Sequence, residues 1–158
     1  MKRTLLIGLL VAAGLLGRPA PASADLTFFL GINTTPETRS TRGVAAGINL
    51  LILGFEFEYA NTRENPSQLL PGLETGMFNV AVMTPTSISL YATAGGGVFR
   101  ETLGDSHITN WGTNIGGGVK FPLLGQLKVR VDYRIFNLRG NPHYNHPQRF
   151  YAGVNWAW

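Results

Sequence analysis

The sequence predicts an all-β fold, an eight-stranded antiparallel up-and-down transmembrane β-barrel, and three observations predict it. Apolar and polar residues alternate with a period of two in segments of about eight to eleven residues. The prolines fall between those segments, where a residue without an N–H does no harm. The connections alternate between long polar stretches and very short turns, as they must when the two ends of a barrel face different surroundings.

The first element is a leader. Lys2 and Arg3 give a positive start, Leu5 to Leu16 form an apolar run of about a dozen residues, and Pro19 and Pro21 break any helix. Ala22-Ser23-Ala24 supplies the small-residue cleavage site, so residues 1–24 read as a secretory signal peptide cut after Ala24. The run falls short of the ~20 apolar residues that span a bilayer as a helix. Removing those 24 residues from 158 leaves 134, residues 25–158, which form one barrel domain.

Trimming also changes the charge. The whole chain carries 13 basic and 9 acidic residues, but Lys2, Arg3 and Arg18 leave with the leader, so ten bases face nine acids. Such a chain offers no basic face for nucleic acid. There are no cysteines, which excludes a disulfide scaffold and a lipid anchor on a cleavage-point cysteine.

The eight strands fall near 26–32, 43–51, 54–60, 76–83, 88–99, 113–121, 126–137 and 149–158. Pro36, Pro66, Pro71, Pro85, Pro122, Pro142 and Pro147 lie between them. Residues 33–42, 61–75, 100–112 and 138–148 make four long connections, and 52–53, 84–87 and 122–125 make three short ones. The first turn, around Leu51-Ile52-Leu53-Gly54, is unusually apolar and leaves the register of the second strand open by one residue.

The identity of each face separates a membrane barrel from a soluble, ligand-carrying one. In the last strand Phe150, Ala152, Val154, Trp156 and Trp158 share one parity, against Tyr151, Gly153, Asn155 and Ala157. In the seventh, Leu127, Val129, Val131, Tyr133 and Ile135 oppose Lys128, Arg130, Asp132 and Arg134; in the third, Phe55, Phe57 and Tyr59 oppose Glu56 and Glu58. An eight-stranded barrel is only wide enough inside for side chains. The bulky set therefore faces lipid and the charges face inward. The runs Gly95-Gly96-Gly97 and Gly116-Gly117-Gly118 permit tight curvature and leave lumen space for long side chains opposite. Neither has the Lys-Ser/Thr or strand-to-helix setting of a phosphate-cradling loop.

Tyr91-Ala92-Thr93-Ala94-Gly95-Gly96-Gly97-Val98, Ile115-Gly116-Gly117-Gly118-Val119-Lys120-Phe121 and the terminal Phe150 to Trp158 carry a resemblance. With Leu26 to Gly31 included, the mature chain resembles the small outer-membrane β-barrel superfamily, the eight-stranded OmpA-like and OmpX-like proteins. The resemblance implies that Phe150, Val154, Trp156 and Trp158 act as the C-terminal signal read by the barrel-assembly machinery. The family's usual last residue is Phe, and here it is Trp158.

The constellations that could carry chemistry are few. Glu56, Glu58 and Asp132 confront Lys120, Lys128, Arg130 and Arg134 across the lumen. Buried charges are costly unless paired, so these groups form either an ion-pair plug or a wet polar lining. In the plug, Glu56 offsets Lys120 and Lys128, Glu58 meets Arg130, and Asp132 is left to Arg134. Arg39, Arg42, Arg63, Arg100, Arg139 and Arg149 lie near the outer strand ends and suit contacts with lipopolysaccharide phosphates. His107, His143 and His146 all fall in long connections, and no third ligand joins the last two, so no metal or other cofactor is expected. Lipid A deacylases of similar size carry a His-x-Ser pair late in the chain, where this one reads Tyr133-Arg134-Ile135-Phe136-Asn137-Leu138-Arg139.

The sequence therefore predicts a monomeric, non-enzymatic barrel in the outer membrane of a Gram-negative-type bacterium. Its expected role is structural or surface interaction through four outer loops, with membrane lipid, lipopolysaccharide and the assembly machinery as partners and the lumen closed by paired charges. The alternatives are a lipid A-modifying enzyme and a small-solute pore.

Overall fold

The structure is a computed structural model that describes residues 22–158. Most of the proposed leader lies outside the described residues; its last three residues begin the first strand. Eight strands follow in order: β1 (Ala22–Asn33), β2 (Arg39–Leu50), β3 (Leu53–Thr62), β4 (Gly72–Met83), β5 (Ser89–Leu103), β6 (Ser106–Leu124), β7 (Leu127–Leu138) and β8 (Gln148–Ala157). Each pairs antiparallel with the next, and β8 pairs with β1 from Asp25↔Ala157 to Asn33↔Arg149, which closes the barrel. Closure leaves no free edge, the condition for a sheet in a medium that offers backbone groups no hydrogen bonds.

All eight expected strands are present, and most run longer than their alternation. The connections at one end shrink to 34–38, 63–71, 104–105 and 139–147, so the third, expected over 100–112, is a two-residue turn on an extended β5–β6 hairpin. The outward residues there include Arg100, Thr102, His107 and Thr109, paired as Arg100↔Thr109 and Thr102↔His107. Beyond the hydrocarbon the outward side chains need not be apolar, so the period-two signal fades while the backbone ladder continues. At the other end the turns are 51–52, 84–88 and 125–126. The pairing Leu50↔Leu53 fixes the register of β2 and moves the first turn one residue earlier than expected. Pro122, expected between strands, lies inside β6 at a register irregularity before Leu124, where a missing N–H is tolerated.

The two faces differ as the parity requires. Phe28 is 62% exposed, Phe57 56% and Ile115 63%, whereas Glu58 and Arg134 have no exposure at all. The outward apolar rows end at a polar one, Arg42↔Asn61↔Glu74↔Arg100↔Thr109, running across β2 to β6. On β3 the eight steps from Leu53 to Asn61, at ~3.3 Å each and tilted ~40°, cover ~20 Å along the axis. That is close to the ~25 Å apolar band of outer-membrane barrels. Among the described residues no helix is long and apolar enough to cross a membrane, which says nothing of a β-barrel, whose strands would do the crossing.

Candidate functional site: the charge network in the lumen

Alternation on β3 sends Glu56 and Glu58 inward, and on β7 it sends Arg130, Asp132 and Arg134 inward. In a closed barrel of eight strands, β3 and β7 stand on opposite walls, and the lumen is narrow enough for long side chains to meet across the axis. Glu56 takes both arginines: Oε2 bonds Arg130 Nη1, while Oε1 lies 3.2 Å from Arg130 Nη2 and 2.9 Å from Arg134 Nη2. Asp132 binds the same pair from their own strand, at 3.0 Å to Arg130 Nη2 and 2.9 Å to Arg134 Nε. Glu58 lies 3.1 Å from Arg134 Nη1 and 2.8 Å from Arg149 Nη1.

Two tyrosines extend the network. The Tyr91 hydroxyl accepts from Arg130 Nε at 2.7 Å and donates to Asp132. The Tyr151 hydroxyl donates to Glu58 at 3.2 Å and accepts from Arg134 Nη2 at 3.3 Å. Their rings lie 5.0 and 5.6 Å from the Arg130 guanidinium carbon, within cation–π range. Two inward glycines on β6 make this approach possible. A Cβ at Gly118 would sit 2.6 Å from the Tyr91 hydroxyl and 2.1 Å from the Val131 carbonyl, and one at Gly116 would sit 2.8 Å from Arg134 Cγ.

Nearer the short turns, Asp25 accepts from Lys120 Nζ at 2.6 Å and from Asn49 Nδ2 at 2.9 Å. The hollow beside this pair, also touched by Tyr91 and Arg130, has a volume of about 10 Å³, room for one water. Toward the long connections the lumen turns apolar, with Leu73, Met77, Phe99, Phe136 and Leu138 all at most 3% exposed. The Arg149 guanidinium, 4.5 Å from the Phe136 ring, joins the two layers. In the lumen pairs, Asp25, Glu56, Glu58 and Asp132 meet Lys120, Arg130, Arg134 and Arg149, four charges of each sign.

The structure thus brings together Glu56, Glu58, Arg130, Asp132 and Arg134. Asp132 meets Arg134 as the sequence suggested, but Glu58 meets Arg134 and Arg149 rather than Arg130, and other partners differ too. Glu56 belongs to Arg130 and Arg134, Lys120 to Asp25, and Lys128 has no ion-pair partner among the described residues. Lys128 is half-buried, at the very start of β7 beside the short turn. Two arginines expected to face lipopolysaccharide do not. Arg149 is fully buried in the network, and Arg39, also buried, donates to the carbonyls of Pro71 and Thr35. Both positions were legible: Arg149 shares the parity of Tyr151 and Asn155, and Arg39 that of Thr41 and Ala45. So was Asp25, on the parity of Thr27 and Phe29.

Arg42, Arg63, Arg100 and Arg139 are exposed, with Arg100 Nε on Thr109 and Arg139 over the Trp111 ring. Phe150, Val154, Trp156 and Trp158 all face outward, and the Trp158 backbone exchanges two hydrogen bonds with Ala24 across the β1–β8 seam. His143 Nδ1 lies 3.1 Å from Glu101, and among the described residues no three metal-ligating side chains converge.

A closed antiparallel eight-stranded barrel, apolar outside and charged inside, has the architecture of the small outer-membrane β-barrels. No protein-family model and no curated protein matches the chain, but solved structures do. The N-terminal β-barrel domain of Pseudomonas aeruginosa OprF superposes with a TM-score of 0.65 at 14% identity, covering 86% of this chain and 97% of that one. Neisserial surface protein A (NspA) gives 0.63 at 18%, covering 85% and 94%. Ail, the attachment invasion locus protein of Yersinia pestis, gives 0.53 at 14%, covering 87% and 97%. At these identities the likeness is one of fold.

Proposed function

We propose that the chain is an exported, monomeric outer-membrane barrel with a sealed lumen, serving envelope structure and surface contact and performing no catalysis. The observation that carries this reading is the lumen itself, filled by a charge-balanced network beneath an apolar layer. A pore needs an open water path, and a catalytic carboxylate needs freedom to exchange a proton. Here every lumen carboxylate in the network is held by a cation. The longer connections, 34–38, 63–71 and 139–147, with the tip of the β5–β6 hairpin, form the outer face, and the short turns face the periplasm. The leader, residues 1–24, directs export, and the outward aromatics of β8, ending in Trp158, address the assembly machinery. The exposed arginines Arg42, Arg63, Arg100 and Arg139 meet lipopolysaccharide.

The natural absence of cysteine makes a direct test of location and orientation simple. Ser67→Cys lies in the 63–71 connection and Ser87→Cys in the 84–88 turn, both exposed. On intact cells a membrane-impermeant maleimide should label the first and spare the second until the outer membrane is opened. Labelling of Ser87→Cys on intact cells, or of neither variant, contradicts the assignment.

A further inference from the structure

The barrel's outer wall is not uniformly rough. On β8, β1 and β2 the outward residues around Phe29 leave a hollow of about 620 Å³, walled by Phe28, Leu30, Arg42, Val44, Ala152 and Val154. Its floor is backbone, because the ladder neighbours of Phe29 are Gly43 and Gly153. A second hollow of about 410 Å³ lies nearer the short turns on β1, β2 and β3, where small Ala46 sits among Leu26, Phe55, Phe57 and Trp158. The two share no lining residue, and their nearest walls are the successive outward-facing pairs Phe28↔Val44 and Leu26↔Ala46. Together they form an apolar trough descending the membrane band, with ridges of Phe28, Leu30, Phe55 and Phe57 standing proud of it.

One polar group stands on this trough. Arg42 lies at its outer end, on the row that bounds the apolar band, between Leu30 and Asn61 in the ladder. The Asn61 amide is committed to Glu74 at 3.0 Å, and Arg42 forms no ion pair or side-chain hydrogen bond among the described residues. The other exposed arginines differ. Arg100 is held by Thr109, Arg139 lies over Trp111, and Arg63 sits past the end of β3 in a connection. A free guanidinium at the head of an apolar trough is complementary to a lipid with an anionic phosphate next to its acyl chains. In the outer leaflet that lipid is the lipid A portion of lipopolysaccharide.

We propose that one lipid A molecule binds here as a discrete ligand, an acyl chain lying in the trough along β1 and β2 and a phosphate on Arg42. This rests on the orientation and lipopolysaccharide contact proposed above, and narrows them to one site with one charged residue. The trough sets chain packing, while Arg42 selects for phosphate; removing either should weaken binding without touching the lumen.

The test is native mass spectrometry of the folded barrel in mild detergent, titrated with hexa-acylated, bis-phosphorylated lipid A and with its dephosphorylated form. The wild-type barrel should retain one phosphorylated lipid. Arg42→Gln, and separately Ala152→Trp, which fills the upper hollow, should each weaken that retention by about tenfold, the worth of one good charge-assisted contact. Arg100→Gln and Arg139→Gln, whose guanidinium groups are already engaged by Thr109 and Trp111, should each weaken retention by less than Arg42→Gln does. Dephosphorylated lipid A should bind wild type as weakly as the phosphorylated lipid binds Arg42→Gln. Migration of unboiled and boiled samples checks that each variant is folded, and Arg42→Gln, a surface change, keeps the test sound if Ala152→Trp is not. Loss spread equally over all the arginines, or unchanged binding by Arg42→Gln, overturns the site while sparing the broader contact. No retention by the wild-type barrel overturns both.

Discussion

Glu58 has no exposed surface, yet its two oxygens serve Arg134, Arg149 and Tyr151. Glu58→Gln keeps the shape and removes the charge, leaving two buried guanidinium groups short of an anion. The barrel should lose ~3–5 kcal/mol in a urea titration in lipid, the range for breaking a buried pair. The partners of Glu56 are tested by coupling. A cycle of Glu56→Gln with Arg130→Met should show an interaction of ~0.5–3 kcal/mol, and one of Glu56→Gln with Lys128→Met should show none. Equal coupling to Lys128 would reject the network as described. Gly118→Val should block folding, because its Cβ meets the Val131 carbonyl and the Tyr91 hydroxyl. At this scale the sequence reveals which side chains point inward, since parity alone decides that. Partner choice is not legible. Strands in a barrel are tilted and staggered by its shear, so counting layers from a turn misplaces the facing wall. That is why Glu56 reaches Arg130 and Arg134 rather than the lysines nearest its turn.

At the scale of elements, existence was plain and extent was not. β5 and β6 read as 88–99 and 113–121 but span Ser89–Leu103 and Ser106–Leu124, because a strand in water or among headgroups loses its apolar parity without losing its ladder. Depth should therefore govern the cost of an outward charge. Ile115→Arg, within the band on β6, should destabilise by ~2–4 kcal/mol, and Asn137→Arg, near the outer end of β7, by ~0–1 kcal/mol. Equal losses in the same titration would mean that the band is misplaced. The first turn holds Leu51 at φ +57°, a conformation that costs an L-residue roughly 1–2 kcal/mol. Leu51→Gly should accordingly raise the urea midpoint. In β8 the outward row from Phe150 ends in Trp158, next to Ala157, whose pairing with Asp25 begins the closing seam of the mature barrel. Trp158→Asp should leave secretion intact and abolish outer-membrane yield, measured by fractionation; undiminished yield would show that this strand is not the assembly signal.

Across the whole molecule, a membrane barrel must solve two solvent problems at once. The exterior meets lipid with aliphatic and aromatic side chains, and the interior must fill a narrow tube without stranding charge. This chain places four anions and four cations there in ion pairs, then caps them toward the long connections with Leu73, Met77, Phe99, Phe136 and Leu138. Beside that cap, buried Glu101 and Arg39 are held by His143 and by backbone carbonyls. Balance matters more than any single pair, since each buried ion is tolerable only with its partner. The architecture follows from parity, proline placement and connection length. The apolar cap does not: its members lie on β4, β5 and β7, in stretches where polar and apolar residues mix. Whether the lumen is shut is measured directly by single-channel recording of the refolded barrel in a planar lipid bilayer. With concentrated KCl on both sides, the wild-type protein should insert and show no stable unitary conductance, and Glu56→Gln should show no more than brief, small openings. Stable ohmic steps from the wild-type barrel would contradict the sealed lumen and make this protein a pore.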